Sequence, residues 1–352
     1  MDITPYLKLM VEKKASDLFF TVNSPVKIKI EGKATPVGKT VLNTELTKAA
    51  AFGIMNDQQI KTFEERMECD FAIAMPDGSA RFRVNVFRQR GDVGMVLRLI
   101  PSVIPTVEEL GLPEILKDLV LHKRGLILMV GATGSGKSTT LAAMLNHRNE
   151  NMSGHILTIE DPVEFSHPNK KSIFNQREVG VDTLTYRNAL RSSLREAPDV
   201  ILIGEIRDRE TMEAALELCN TGHLAVSTLH ANNANQAMER VINLFPQDLH
   251  KQLFLDLSLN IRAVISQRLV TGIDGKRCAA IEILINTPHI AELILKGKIE
   301  EIKEAMEESG AKGMQTFDMA LFNLFKEERI ELEEALSNAD SRTNLEAKIN
   351  FG

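Results

Sequence analysis

The run Gly131-Ala-Thr-Gly-Ser-Gly136-Lys137-Ser138-Thr139 satisfies the phosphate-loop pattern G-x-x-x-x-G-K-[ST] at every fixed position. Glycines there let successive backbone N–H groups turn inward around phosphates, where side chains would block the approach. Lys137 would bring a compact positive charge to the β/γ oxygens, and the Ser138 hydroxyl would sit on Mg²⁺. The flanks agree. Gly125-Leu-Ile-Leu-Met-Val130 reads as a buried strand entering the loop, and Thr139 to Leu145 as a helix leaving it. That helix aims the positive end of its dipole at the phosphates. Gly131, Ala132, Thr133, Gly134, Ser135, Gly136, Lys137, Ser138 and Thr139 are therefore the expected contacts of ATP or GTP.

Working outward, the next question is where acidic partners lie. Asp199-Val-Ile-Leu-Ile-Gly-Glu205 is a short apolar run of the kind buried on both faces of a parallel sheet. It ends in Glu205, placed where a phosphate-loop ATPase carries the acid that orients the metal or its water. Asp199 opens the same run at the far end and reads as a turn residue after Pro198. A second run, Gly154-His-Ile-Leu-Thr-Ile-Glu160-Asp161-Pro162-Val-Glu164-Phe165, delivers three carboxylates to one edge. Pro162 bars helical continuation there. A carboxylate that polarises the attacking water contributes roughly 10²–10⁴ in rate. Glu160, Asp161 and Glu164 are all candidates, and composition does not rank them. A third run, Leu224-Ala-Val-Ser-Thr-Leu229, lies between His223 and His230, either of which could sense the γ-phosphate.

The span from Arg81 to Arg98 holds five arginines and one acid, Asp92, in a chain of formal net charge −6. Ala80-Arg-Phe-Arg-Val-Asn-Val-Phe87 alternates polar and apolar residues, the pattern of a half-buried strand. An arginine reaching a γ-phosphate is worth roughly 10³–10⁵ in rate. Arg83 and Arg98 are candidates for that role, whereas Arg88 and Arg90 read as a solvated cationic face.

At 352 residues and 43% hydrophobic content the chain has material for two cores. Its acidity and its lack of Trp, with 2 Tyr and 15 Phe, argue against a general nucleic-acid binder, which needs clustered cations and stacking platforms. Cys69, Cys219 and Cys278 form no C-x-x-C pair, so neither a zinc site nor a disulfide framework is indicated. The N-terminus shows no targeting segment, and no apolar run approaches the roughly 20 residues of a spanning helix. The expected compartment is the cytoplasm, with membrane contact only through partners.

The chain divides near residues 100–113, where Pro101, Pro105, Gly111 and Pro113 punctuate it. Before that point the pattern predicts a helix from Pro5 to Lys14 and strands from Leu18 to Val22 and Val26 to Glu31. A helical stretch from Thr44 to Arg66 and the arginine-bearing strands follow. From Gly125 onward strands alternate with helices, the mark of a mostly parallel sheet covered on both faces. The C-terminal part is helical over Ile290–Lys296, Glu300–Ser309, Phe317–Glu327 and Leu332–Ala339. The expected domains are 1–100, a linker 101–113, and 114–352, whose helical tail begins near 286.

The phosphate loop, Ile159-Glu-Asp-Pro-Val-Glu164-Phe165, Ile201-Leu-Ile-Gly-Glu205-Ile-Arg207 and Thr221-Gly-His223-Leu…Thr228-Leu-His230-Ala231 occur in one order. That order and spacing resemble the secretion ATPases, and within them the type IV pilus retraction ATPases of the PilT/PilU kind. Ala15-Ser-Asp17-Leu18, Ala80-Arg-Phe-Arg-Val-Asn85, Ser266-Gln-Arg268-Leu269 and Gly313-Met-Gln-Thr-Phe-Asp318 extend the resemblance over essentially the whole chain.

The resemblance implies an α/β, RecA-like P-loop ATPase core, preceded by a smaller α+β, PAS-like domain and followed by C-terminal helices. It implies a homo-hexamer that couples hydrolysis of ATP with Mg²⁺ to domain movement. Glu164 matches the catalytic glutamate that activates water, Glu205 the Walker B position, and His223 and His230 the His-box positions. Arg83 and Arg98 match the arginines that the N-terminal domain extends to the triphosphate. Assembly relatives usually carry a four-cysteine zinc insert and a longer N-terminal region, which this chain lacks.

One departure stands out: Thr287-Pro288 continues as His-Ile-Ala291-Glu-Leu-Ile294, with Ala291 where PilT-like chains carry the arginine of an Ala-Ile-Arg motif. The tail beyond Asp318 is also more similar to the PilU kind. The resemblance thus implies an accessory motor working with a PilT-like ring and an inner-membrane platform protein. The alternatives are a primary PilT-like motor, an ATP-binding switch without hydrolysis, and a DNA-translocating ring.

Overall fold

Runs of β-branched and apolar residues bounded by glycine, proline and asparagine become strands in the computed structural model, which describes residues 1–30 and 32–351. Glu31, expected at a strand end, and Gly352 lie outside the described residues. The chain divides into two units. The first comprises Met1–Val103 with Val163–Ser166 and Gly180–Asp182, and the second holds the remainder.

In the first unit, β1 (Asp17–Phe20), β2 (Pro25–Ile30), β3 (Lys33–Val41), β4 (Glu68–Ala74), β5 (Arg81–Gln89) and β6 (Asp92–Ile100) form one sheet in the order β3-β2-β1-β6-β5-β4. Every pairing in it is antiparallel. Along β5 the period of two places Phe82, Val84 and Val86 in the core and leaves Arg81, Arg83 and Asn85 half-buried on the other face. The stretch expected as one helix is two, Thr44–Phe52 and Asp57–Arg66. Asn43 caps the first, accepting from the Leu46 N–H at 2.8 Å. Asn56 and Gln59 form a reciprocal capping box on the second, each bond 2.9 Å. That box satisfies two orphan donors at a new helix start, which a continuous helix would not need.

The second unit contains β7 (Gly125–Val130), β8 (Gly154–Glu160), β9 (Ser172–Glu178), β10 (Val200–Ile203), β11 (Leu224–Leu229), β12 (Ile261–Thr271) and β13 (Arg277–Ile285). The sheet order is β13-β12-β7-β11-β10-β8-β9, parallel throughout except for the β12–β13 pair. Each residue of β7 and of β10 is buried, as expected for strands covered by helices on both faces. Separate apolar clusters fill the two faces, one around Leu126, Leu128 and Ile203, the other around Ile127, Met129 and Leu202. The C-terminal helices are Pro288–Leu295, Ile302–Glu308, Phe317–Lys326, Leu332–Asn338 and Arg342–Phe351. β9 and the β12–β13 hairpin were not expected from periodicity, because polar residues interrupt their apolar runs. Among the described residues no helix is long and apolar enough to cross a membrane.

Candidate active site

Register decides the site. Val130 pairs with Leu229 and with Ser266, while Ile203 pairs with Ser227 and with Ile159. The carboxyl ends of β7, β8, β10 and β11 therefore lie on one edge of the sheet, where open α/β sheets bind their ligands. From that edge β7 feeds the phosphate loop, β8 ends at Glu160, β10 leads to Glu205 and β11 to His230.

Within the loop Gly131, Gly134 and Gly136 take φ of 152°, 78° and 88°, all in the region that glycine tolerates. At Gly136 a Cβ would also lie 2.7 Å from the Gln267 amide nitrogen. The helix Lys137–Asn151 starts directly behind, with Ser138 exposed and Thr139 half-buried in its first turn. Lys137 Nζ donates to the carbonyls of Gly131 and Ala132 at 2.7 and 2.9 Å. Burial lowers the Lys137 ammonium below its ordinary pKa, and the Glu205 charge opposes that shift. Ser135 Oγ is buried with no hydrogen-bond partner among the described residues. A half-buried cation, an orphaned hydroxyl and a helix N-terminus fit a phosphate chain. Ser138 and Glu205 are the groups that fit Mg²⁺.

Glu205 is held from two sides, with its side chain 13% exposed. Arg207 Nε donates to Oε2 at 2.7 Å, and His230 Nε2 lies 3.3 Å from Oε1. A cavity of about 410 Å³ opens beside this group, lined by Gly131, Ala132, His230, Asn232, Gln236 and Arg240 among others. Gly204, just before Glu205, answers a close approach: a Cβ there would lie 2.5 Å from the Tyr186 hydroxyl. Tyr186 sits among Asp161, Arg207, Glu160 and Glu205, and burial first, then Asp161, keeps its phenol protonated.

The three candidate carboxylates part company. Glu160 accepts from Thr158 Oγ1 at 2.6 Å and from Gln176 Nε2 at 3.1 Å, which ties it to its own strand and to β9. Asp161 is exposed and precedes a cis bond to Pro162. Glu164 is exposed, in the segment Val163–Ser166 that groups with the first unit, where the Ser166 N–H donates to the Pro101 carbonyl at 3.0 Å.

The two histidines are not brought together. His223 precedes β11, and its carbonyl accepts from the N–H of Gly125, the first residue of β7. It is thus a full strand, roughly 17 Å at about 3.3 Å per residue, from the phosphate loop of its own chain. Its Nδ1 instead lies 3.1 Å from both Thr221 Oγ1 and the Leu218 carbonyl, closing the end of the helix Arg209–Asn220. The expected nucleotide contact of His223 therefore does not form within one chain, because a parallel sheet brings only carboxyl ends to the loop.

In the first unit Arg83 and Arg98 stand directly opposite one another on β5 and β6. Arg98 Nε donates to Asp17 Oδ1 at 2.8 Å, and the Asp17 side chain is only 5% exposed. Ser16 Oγ donates to the other Asp17 oxygen at 2.9 Å. Residue reading missed Asp17, Tyr186, Arg207 and Gln267. Asp17, Arg207 and Gln267 lie inside stretches already singled out, whereas nothing local marks Tyr186.

Comparison with known proteins identifies the family. Residues 1–335 match the type II/IV secretion system protein family. The chain is 53% identical over 353 residues to the type IV pilus ATPase PilU of Pseudomonas aeruginosa, covering all of this chain and 92% of that protein. It is 46% identical to the type IV pilus retraction ATPase PilT of the same organism, covering 96% of this chain and 98% of PilT. The crystal structure of the pilus retraction motor PilT with bound ADP superposes with a TM-score of 0.91 at 40% identity, over 98% of this chain and 99% of that one. The chain is an ATPase of the type II/IV secretion system protein family, and within that family it belongs with the type IV pilus retraction ATPases of the PilU and PilT kind.

Proposed function

We propose that the chain is the subunit of a six-membered ring that hydrolyses ATP to assist type IV pilus retraction, in the accessory position of PilU. The observation that carries the reading is the convergence of the phosphate loop, Glu205 and His230 on one sheet edge, in a chain 53% identical to PilU along its whole length. The loop residues and Lys137 hold the triphosphate. Ser138 and Glu205 would hold Mg²⁺, directly or through a water, and the ion would neutralise charge on the β and γ oxygens. Glu164 serves as general base, His230 orients Glu205, and Arg83 and Arg98 serve the triphosphate once the ring has formed. The ring works at the inner face of the inner membrane, docked on the platform protein and on a PilT-like ring, with no nucleic-acid partner.

The alternative of a primary, PilT-like motor draws support from the 46% identity to PilT. Ala291 favours the accessory role. It lies half-exposed on the helix Pro288–Leu295, whose Ile290, Leu293 and Ile294 are buried, so alanine there costs the fold nothing visible. Phosphate release that vanishes in Lys137→Ala separates the enzyme from a passive switch. Expression as the sole retraction ATPase of a piliated cell separates the two motors: no twitching with ATPase activity retained supports the accessory role, and unaided twitching overturns it.

A further inference from the structure

The phosphate loop is braced from behind by a strand that local pattern did not reveal. Gln267, on β12, is 3% exposed. Its Nε2 donates to the Ser135 carbonyl at 2.8 Å, and its Oε1 accepts from Thr140 Oγ1 at 2.7 Å. The amide orientation follows from the partners: a carbonyl only accepts, so the NH₂ must face Ser135, and the Thr140 hydroxyl then donates to the oxygen. One side chain thus ties the loop to the first turns of the helix behind it.

We propose that Gln267 is a positioning residue for nucleotide binding, orienting the Ser135–Gly136 peptide so that the Gly136 N–H faces the phosphates. A trans peptide holds its C=O and N–H antiparallel in one plane. Drawing the Ser135 carbonyl back onto Gln267 therefore turns the Gly136 N–H the opposite way, toward the loop interior. The brace works only if Gln267 is itself fixed. Its neighbours, which point to the other face of β12, supply that anchorage. Ser266 Oγ donates to the buried Glu282 at 3.0 Å. Arg268 stacks over Phe317 at 3.9 Å and donates to the Asn338 carbonyl at 2.9 Å and to Asp340 at 2.7 Å. Glu282 also accepts from the Ala234 N–H at 2.7 Å, so the same strand is tied to the helix Ala234–Asn243 that follows His230. Gln267 thus holds the loop against a reference that nucleotide cannot easily move.

This inference rests on the reading of Gly131–Thr139 as a phosphate loop. The test measures ADP affinity by calorimetry, and kcat and KM for ATP, on the full-length protein. Gln267→Met keeps the size of the side chain but leaves the Ser135 carbonyl unpaired, and should weaken ADP binding and raise KM about tenfold while kcat changes less. Thr140→Val, which removes one hydrogen bond at constant shape, should do the same to a smaller degree, and Thr140→Ser should restore most of the loss. Gln267→Met with ADP affinity and KM within twofold of the parent, whatever happens to its melting temperature, would overturn the proposal. Lys137→Ala is run alongside. If it too leaves ADP affinity unchanged, the phosphate-loop reading has failed, whereas loss there with none at Gln267 refutes the brace alone.

Discussion

At the amino edge of the seven-stranded sheet, polar side chains close on one another. Asp199 accepts from the His155 N–H at 2.8 Å, Asn260 donates to Asn220 at 2.8 Å, and His223 meets Thr221 and the Leu218 carbonyl. At the carboxyl edge the sheet leads to Lys137, which donates to loop carbonyls, to Ser135, whose hydroxyl has no partner among the described residues, and to Glu205, held by an arginine and a histidine. At the amino edge the polar groups hold neighbouring elements together, whereas at the carboxyl edge Lys137 and Ser135 stand where a phosphate chain fits. Direction alone makes the difference, since all strands but β13 run the same way.

The largest effect is expected in the segment that follows β8 in the chain. Glu164→Gln should keep ATP affinity within a few-fold and lower turnover by roughly 10²–10⁴. Near-normal turnover, measured by steady-state phosphate release, would transfer the role to Asp161, the other exposed carboxylate of that segment. The two histidines sharpen the contrast. His230→Ala removes the contact to the Glu205 carboxylate and should cut turnover by roughly tenfold or more. His223→Ala, at the amino edge, should leave isolated-chain nucleotide affinity unchanged. Equal losses in that affinity for the two variants would mean that the edges are not functionally distinct.

Gly204→Ala probes how tightly the carboxyl edge is packed. A Cβ there meets the Tyr186 hydroxyl at 2.5 Å and the Ile159 carbonyl at 3.1 Å. Overpacking of this kind costs about 1–3 kcal/mol, read as a lower melting temperature, together with reduced turnover because Glu205 follows directly. Tyr186→Phe in the same chain should recover part of the stability.

The effect confined to acid conditions lies away from both edges. His167 stacks on Phe174 with ring centres 4.1 Å apart, and burial pushes its pKa down to about 3. Its unfolded value is near 6.5, so the unfolded chain binds the extra proton between these limits. Stability from this group is complete above about pH 6.5 and is lost as pH falls toward 3, at up to about 1.4 kcal/mol per pH unit. His167→Phe should flatten that part of a denaturation-against-pH profile, and an unchanged slope would show that another group governs it.

What was legible in the sequence is what neighbours in the chain decide. The phosphate loop is nine consecutive residues between a strand and a helix, so its chemistry survives any view of the rest. The positions of Glu205 and His230 beyond strand ends were legible because each closes an apolar run, and the C-terminal helices because their periodicity is strong. His223 shows the limit. Two histidines bracketing a strand look equivalent in sequence, and only the parallel register assigns one to each edge.

Gln267 shows the other limit. Its partners Ser135 and Thr140 lie 132 and 127 residues away, while beside it Ser266 bonds Glu282, 16 residues on, and Arg268 bonds Asp340, 72 residues on. A strand whose consecutive polar residues Ser266, Gln267 and Arg268 all find partners outside it carries no alternation to read there, so the fold alone reveals it. Likewise only packing explains why glycine precedes Glu205, since the Tyr186 hydroxyl that fills the space comes from another helix. Backbone conformation and local charge follow from adjacent residues. Which side chains meet across a sheet depends on how its strands are ordered, and that order is settled only when the whole core is buried at once.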